Sequence, residues 1–268
     1  MKKRFPALLL LSVIGAVVLY IAGNFGGMFD RTRLSKQREA NGLAIAHHKT
    51  ERFSVHKLDS LVANNEFVIL GIGLSGCGSC DDLLLSPVPQ RYGIPLYFIN
   101  KEYDNNNRLV AQALYASSNP TSYILDSDMN VRGIIRGTVD YEKYLDDIVN
   151  GSRLHSITIG DHSEENSIEM MSNALRGLMI YMRERAWSSE DIYGYARKSL
   201  THGEYFFNNY LLHRYFDAAA VADSAEHYRL AAIGRLDVGL DVMMFRRLIE
   251  EIDPTNEKLD WFAKDIEM

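Results

Sequence analysis

Residues 66–85 read EFVILGIGLSGCGSCDDLLL and contain both cysteines of the 268-residue chain, Cys77 and Cys80. The run EFVILGI at the start of this stretch is short and apolar, which predicts a buried strand. The residues after the second cysteine predict the beginning of a helix, which Pro87 and Pro89 stop or kink early. The stretch therefore predicts a strand that leads into a helix at two cysteines three positions apart.

The spacing of the two cysteines suits thiol–disulfide chemistry. Positions i and i+3 in the first turn of a helix bring two sulfurs within disulfide reach. The Cys77 thiol would lie at the helix N-terminus, where free N–H groups and the helix dipole favour a thiolate, and the turn would shield Cys80. We therefore expect Cys77 to be the attacking thiol and Cys80 the resolving thiol. Asp81 and Asp82 would oppose a nearby thiolate by like charge, which favours a reductant or isomerase over a strong oxidant.

Other interpretations of this stretch remain open at the level of sequence. A zinc site would need four ligands, and the eight histidines show no matching pair. The two cysteines could also form an inert structural disulfide or be two unrelated buried thiols. Residues 71–76 match the G-x-G-x-x-G pattern of a dinucleotide loop, but the expected acidic residue is missing near residues 94–96.

The sequence on either side of the cysteine pair alternates between helical and strand patterns. Apolar residues at helical spacing predict helices over residues 56–65, 105–117 and 141–149. Apolar runs predict strands over residues 94–99, 121–125 and 131–135, and a polar turn joins the last two. This alternation predicts an α/β layer with a partly parallel sheet.

Two segments of the chain resemble the thioredoxin superfamily. The strand followed by a C-x-x-C motif resembles the beginning of that family's active site, and residues 118–125 (SNPTSYIL) resemble its cis-proline segment. The resemblance covers about residues 51–150 and implies a thioredoxin-like fold. It also implies that Pro120 lies beside the Cys77 sulfur and that the backbone of Asn119 pairs with the substrate chain.

The resemblance also implies a substrate-binding role for Gly78 and Ser79, which lie between the cysteines, but the motif departs from the family pattern. Tryptophan usually precedes the first cysteine, where this chain has Gly76, and proline often precedes the second, where it has Ser79. The buried acidic residue of thioredoxin itself would fall near Gly71. A proton relay through that acid is therefore absent, unless Glu66 or another group replaces it.

The composition changes after about residue 160. Apolar residues at steps of three and four between residues 168 and 182 predict a long helix, and further helical patterns follow. They cover residues 205–215, 219–234, 236–252 and 256–266. We therefore predict a thioredoxin-like domain over residues 51–160 and an all-α domain over residues 161–268. Residues 223–234 (DSAEHYRLAAIG) loosely resemble tetratricopeptide helices, although no clean repeat of about 34 residues is present.

The N-terminus has the pattern of a membrane segment. Lys2, Lys3 and Arg4 precede an uncharged run over residues 5–29. The 23 residues from position 7 to 29 just span a hydrocarbon layer of ~30 Å. No clean cleavage site follows, which favours an uncleaved single-pass anchor (residues 1–29) over a cleaved signal that would release the protein into the periplasm. We expect residues 30–50 to be a tether and the C-terminal domains to lie outside the cytoplasm, in the periplasm.

These patterns predict a membrane-anchored thiol–disulfide oxidoreductase that reduces or isomerises protein disulfides. The expected partners are protein disulfide substrates, a membrane or envelope thiol that donates electrons, and the lipid bilayer. Apart from the weak match over residues 71–76, the sequence shows no flavin, nicotinamide or metal motif, so we expect no cofactor and no metal. A net charge of −6 without a basic stripe argues against nucleic acid as a partner. The alternative is a catalytically weak thioredoxin-fold binding module whose helical domain recruits a partner protein.

Overall fold

A computed structural model describes residues 51–137, 141–151, 159–236 and 240–260 of the chain. The predicted anchor over residues 1–29 and the tether over residues 30–50 lie outside these described residues. Among the residues that are described, no helix has both the length and the apolar character needed to cross a membrane.

A mixed four-stranded sheet forms the centre of the α/β part. Its strands are β1 (Phe67–Gly73), β2 (Leu96–Asn100), β3 (Thr121–Asp126) and β4 (Val131–Arg136). Their order is β2–β1–β3–β4, with β1 parallel to β2 and the other two pairs antiparallel. This arrangement confirms the predicted α/β layer with a partly parallel sheet. Strand β1 lies between two neighbours and its residues from Val68 onward are buried, which is why it reads as an almost unbroken apolar run.

Helices cover both faces of the sheet. They are α1 (Val55–Asn64), α2 (Gly78–Leu84), α3 (Val88–Arg91), α4 (Asn105–Ala113) and α5 (Tyr141–Val149). Successive side chains of a strand point to opposite faces, so Ile69 packs with α2 and α5 residues while Leu70 belongs to the core shared with α1 and α4. The predicted helices therefore bury the sheet from two sides.

Two predicted boundaries differ from the structure for local reasons. Helix α4 ends at Ala113 rather than at residue 117, because Tyr115 adopts a left-handed conformation and the Ala116 N–H bonds back to the Ala111 carbonyl at 2.8 Å. Strand β2 begins at Leu96 rather than at residue 94, because Pro95 has no N–H for the strand ladder.

The described residues after position 160 are helical, as predicted. They form α6 (Glu164–Glu184), α7 (Glu190–Leu200), α8 (Phe206–Ala218), α9 (Ala222–Gly234) and α10 (Leu240–Ile252), followed by a short 3₁₀ helix at Glu257–Asp260. Helix α6 packs against α1, α4 and β4, so the apolar core continues from the sheet into the helical part. The described residues of Thr50–Met268 belong to one compact unit, and the boundary at residue 160 stays a prediction.

Polar contacts also join the helical part to the sheet. The Ser172 hydroxyl of α6 accepts a hydrogen bond from the Val131 N–H, at the first residue of β4 (3.0 Å). The Gln112 amide of α4 donates to the Met244 carbonyl of α10 at 2.8 Å. The buried Val131 N–H of the sheet thus receives its partner from the helical part, and the second, partly buried contact joins α4 to α10.

Candidate redox site

Cys77 lies at the N-terminus of α2, immediately after the loop that follows β1. It is the N-cap residue, and its sulfur accepts a hydrogen bond from the Cys80 N–H at 3.3 Å. The sulfur thus takes the place of the side-chain oxygen that usually caps a helix, where a negative charge is stabilised. Gly76 makes this turn with a φ of +73°, a conformation that suits glycine. The Cys77 side chain remains partly exposed to solvent.

Cys80 lies beneath the first turn of α2 and is only 1% exposed. Its sulfur packs directly against the backbone of Gly73 at the end of β1. A Cβ atom added to Gly73 would stand only 2.6 Å from the Cys80 sulfur, so a side chain there would overlap it. Burial, followed by the hydrogen bond with Cys77, raises the pKa of Cys80 to about 12, and a backbone hydrogen bond with Leu74 acts in the opposite direction. At neutral pH Cys80 is therefore a protonated thiol that solvent does not reach.

The Asn119–Pro120 segment lies on the other side of Cys77. The peptide bond between these two residues is cis, and the Cys77 thiol donates to the Asn119 carbonyl at 3.8 Å. Pro120 directly precedes β3, and its carbonyl accepts a hydrogen bond from the Gly137 N–H at 2.9 Å. The structure thus brings together the segments that the sequence singled out, while the roles of Asn119 and Pro120 in substrate binding stay predictions.

Gly78 and Ser79 are the first two residues of α2. Gly78 is half-buried, and the Ser79 side chain is exposed on the same turn that carries the partly exposed Cys77 sulfur. A substrate that approaches this sulfur would therefore meet Ser79, and the binding roles of Gly78 and Ser79 stay predictions.

Lys101 is a residue of the site that the sequence analysis missed. It follows β2 directly, and its N–H donates to the Gly73 carbonyl at 3.0 Å, while its ammonium group donates to the Ala116 carbonyl at 3.2 Å. Burial lowers the pKa of Lys101, whereas the negative charge of Glu102, and of either cysteine when it is ionised, opposes this shift. The lysine therefore places a half-buried positive charge close enough to stabilise negative charge on the sulfurs.

The position of Lys101 near the cysteines follows from the strand order of the sheet. The carboxyl ends of neighbouring parallel strands meet at one edge of a sheet, and β1 and β2 are parallel. Once β1 and β2 are known to be parallel neighbours, the residue after β2 is expected to lie near the loop after β1. The sequence alone did not give the strand order that makes this inference possible.

Buried asparagines hold the ends of β1 and β2 together. Asn107 is fully buried; its amide nitrogen donates to the Asn100 carbonyl at 2.8 Å, and its oxygen accepts from the Phe53 N–H at 2.6 Å. Asn100 in turn donates to the Ser75 hydroxyl at 2.7 Å, in the loop that precedes Cys77. These bonds connect the cysteine loop to the chain segments beneath it, which keeps the site in one conformation.

Among the described residues, neither Gly71 nor Glu66 can provide the acid found in thioredoxin. Gly71 lies inside β1, and a Cβ atom there would meet the Phe98 ring at 2.9 Å, so the position has no room for a carboxylate. Glu66 precedes β1 at the end opposite to the cysteines, about 20 Å away along the strand. The suggestion that Glu66 replaces the missing acid is therefore wrong.

The glycines of the G-x-G-x-x-G pattern have a packing role. Gly71 and Gly73 belong to strand β1 itself, not to a loop after it, and they make room for Phe98 and for the Cys80 sulfur. A dinucleotide loop needs these glycines between the strand and the helix. The geometry therefore argues against the dinucleotide interpretation.

No protein-family model matches the chain, and a search of curated proteins found no significant match. The sheet order, the flanking helices and the cysteine pair at the start of α2 are together compatible with a thioredoxin-like fold. The function must therefore be argued from the geometry of the site.

The contact between Gly73 and Cys80 gives a testable prediction. We expect Gly73→Ala to displace the Cys80 side chain, because the added methyl group overlaps its sulfur. In a Cys77→Ser background, the rate of Cys80 alkylation by iodoacetamide should rise at least about tenfold, since the thiol becomes accessible. Gly71→Ala is the matched control: it overpacks the same strand, at a cost of about 1–3 kcal/mol, but meets Phe98 instead of sulfur. Equal alkylation rates in the two variants would contradict the prediction.

The difference in exposure between the two cysteines gives a second prediction. In the native, reduced protein at about pH 8, iodoacetamide should label Cys77 and leave Cys80 unmodified, as read by mass spectrometry of peptides. Burial is the largest cause that raises the pKa of Cys80, and it persists in the Cys77→Ser variant, so labelling of Cys80 there should increase continuously above about pH 9. Denatured protein, in which both thiols react alike, is the control. Comparable labelling of both cysteines in the native state would refute the assignment.

Proposed function

We propose that this chain is a thioredoxin-like thiol–disulfide oxidoreductase that reduces or isomerises protein disulfides through Cys77 and Cys80. The observation that carries the proposal is the position of the Cys77 sulfur. It is partly exposed, it accepts the Cys80 N–H, and it lies against the Asn119 carbonyl that precedes the cis bond to Pro120. An accessible sulfur that receives a hydrogen bond at a helix N-terminus, with a second sulfur next to it, is suited to attack a disulfide.

The reaction proceeds through a mixed disulfide. The Cys77 thiolate attacks one sulfur of the substrate disulfide; the substrate S–S bond breaks, and its other sulfur leaves as a thiolate. Cys80 then gives up its proton, and its thiolate attacks the Cys77 sulfur, which releases the second substrate thiolate. The substrate has gained two electrons, and the enzyme is left with a Cys77–Cys80 disulfide. Two thiols of a membrane or envelope electron donor then reduce that disulfide by the same exchange, and they are left as a disulfide.

The environment of Cys80 supports isomerisation beside reduction. A thiol with a pKa near 12 is rarely ionised at neutral pH, so the resolving attack is slow unless a leaving substrate thiolate takes the proton. A mixed disulfide that persists gives another thiol of the substrate time to attack instead. That route returns the Cys77 thiolate, pairs the substrate cysteines anew and transfers no net electrons.

The charges around the pair support a reductant rather than a strong oxidant. Lys101 contributes a half-buried positive charge near both sulfurs, whereas Asp81 contributes a negative charge in the first turn of α2. The two effects on a thiolate oppose each other. A strong oxidant needs a reduced form that is stabilised strongly, which this balance does not provide.

An assay of insulin reduction tests the proposal. The wild-type protein with dithiothreitol as electron donor should precipitate insulin faster than dithiothreitol alone, and Cys77→Ser should return the rate to that background. Cys80→Ser should accumulate mixed disulfides that a non-reducing gel resolves and that excess dithiothreitol removes. Cys77→Ser/Cys80→Ser is the control and should trap nothing. Insulin reduction that persists in Cys77→Ser would refute the redox proposal. A wild-type protein that reduces no insulin but still captures a partner protein would favour the binding module.

We further propose that residues 1–29 anchor the protein in the cell membrane, with residues 51–268 in the periplasm, where disulfides persist. The basic leader and the uncharged run after it support this location. After extraction of membranes with alkaline carbonate, the full chain should remain with the lipid, and a variant without residues 1–29 should be soluble. A soluble protein of reduced mass would point to the cleaved signal, and a soluble protein of full mass would contradict both forms of export.

A further inference from the structure

A groove leads away from the cysteine pair between the edge of the sheet and helix α10. It has a volume of about 640 Å³, and Leu74 and Asn119 line the end nearest the sulfurs. Leu74 makes a backbone hydrogen bond with Cys80, and the Asn119 carbonyl contacts Cys77. Helix α10 lines the opposite wall with Met243 and Arg247. We call this space the α10 groove; its cysteine end adjoins both sulfurs.

Positive charge collects along the α10 groove. Lys101, Arg108 and Arg247 line it, and within the described part of the chain none of the three forms a salt bridge. Burial and the like charge of Arg247 lower the pKa of Arg108, while the negative charges of Glu102 and Asp104 oppose this shift. The Arg108 guanidinium also donates to the Asn105 side-chain oxygen at 3.0 Å. A fourth cation, Arg246, pairs with Glu250 on its own helix, and Glu102 is the lining residue with negative charge.

Hydrogen-bond acceptors without partners line the same groove. Gln112 is 2% exposed, and its amide nitrogen donates to the Met244 carbonyl, but its side-chain oxygen accepts no hydrogen bond from any described residue. The side-chain oxygen of Asn119 is also buried without a donor among the described residues. Buried acceptors of this kind normally receive a donor, because an unmade bond costs about 1–3 kcal/mol.

We propose that the α10 groove binds an acidic polypeptide segment that lies next to the disulfide of the substrate. Carboxylates of the segment pair with Lys101, Arg108 and Arg247, which line the groove. The side chain of Met243, which is 53% exposed, provides apolar contact beside them. A polypeptide supplies several carboxylates for these cations and an apolar side chain for Met243, which an inorganic anion does not.

This proposal rests on the proposed redox function for the identity of the ligand, since the cysteine end of the groove opens beside Cys77. The geometry also assigns the helical part a place in the site, because α10 supplies Met243 and Arg247. In contrast to Leu74, Lys101 and Asn119 at the cysteine end, Arg108 and Arg247 act on binding, and neither contacts the exchanging sulfurs. Their removal should therefore raise KM and leave kcat nearly unchanged.

A binding measurement tests the groove without any redox step. Two fluorescein-labelled peptides of about twelve residues are used, without cysteine and identical except that four Glu of one are Gln in the other. Fluorescence anisotropy with the full-length Cys77→Ser/Cys80→Ser protein at low salt should show at least about tenfold tighter binding of the acidic peptide. Arg108→Gln/Arg247→Gln should reduce this preference to within about twofold, and Arg197→Gln, which removes a cation of α7 outside the groove, should preserve it.

Equal affinity for the two peptides, or a preference that survives the double arginine variant, overturns the groove proposal. Arg247 is exposed, so the single variant Arg247→Gln tests the site even where the double variant fails to fold. With disulfide-linked forms of the same peptides as substrates, the acidic form should have the lower KM in the otherwise unmodified protein, and the variants should lose that difference. If the protein binds the acidic peptide but reduces no disulfide, the groove proposal is supported and the redox proposal is refuted. Failure of the groove proposal can therefore be distinguished from failure of the redox proposal.

Discussion

The contact between the Cys80 sulfur and the backbone of Gly73 fixes the geometry of the whole site. The first turn of α2 packs against the end of β1 only because Gly73 has no Cβ atom in the space that the Cys80 sulfur fills. With Cys80 held there, the residue three positions earlier becomes the N-cap, and its sulfur points to the Cys80 N–H. The difference between a buried, protonated thiol and an accessible one follows from this single close approach.

The order of the strands then determines what surrounds the pair. Because β1 and β2 are parallel, the residue that follows β2 returns to the same edge, and this places Lys101 against Gly73. Because β3 is antiparallel to β1, its first residues lie at that edge as well, which brings Asn119 to Cys77. The loop after β1, the residue after β2 and the residues before β3 thus meet at one edge of the sheet. The pairing of β1 with β2 and β3 requires this.

The sequence predicted the parts of this site that depend on local pattern. The apolar run of β1, the cysteine spacing and the segment around Pro120 each carry their signal within a few residues. The groove wall depends on long-range packing instead: Gln112 and Met244 are joined by a hydrogen bond across 132 positions. Helical spacing indicated that α4 and α10 have apolar faces, but it contains no information on which helices pack together. For the same reason Arg108 and Arg247 could not be recognised as neighbours.

The placement of α10 gives the helical part a physical connection to the chemistry. A chain with a net charge of −6 repels acidic proteins at long range, yet the α10 groove presents unpaired cations within a short distance of the reactive thiol. Attraction therefore operates only after an acidic segment has come within about a Debye length of this edge. Selectivity of this kind depends on the local arrangement of charges rather than on their sum. The α/β layer alone supplies Lys101 and Arg108 to the groove, and α10, whose Met244 carbonyl accepts a hydrogen bond from Gln112 of α4, supplies the opposing wall.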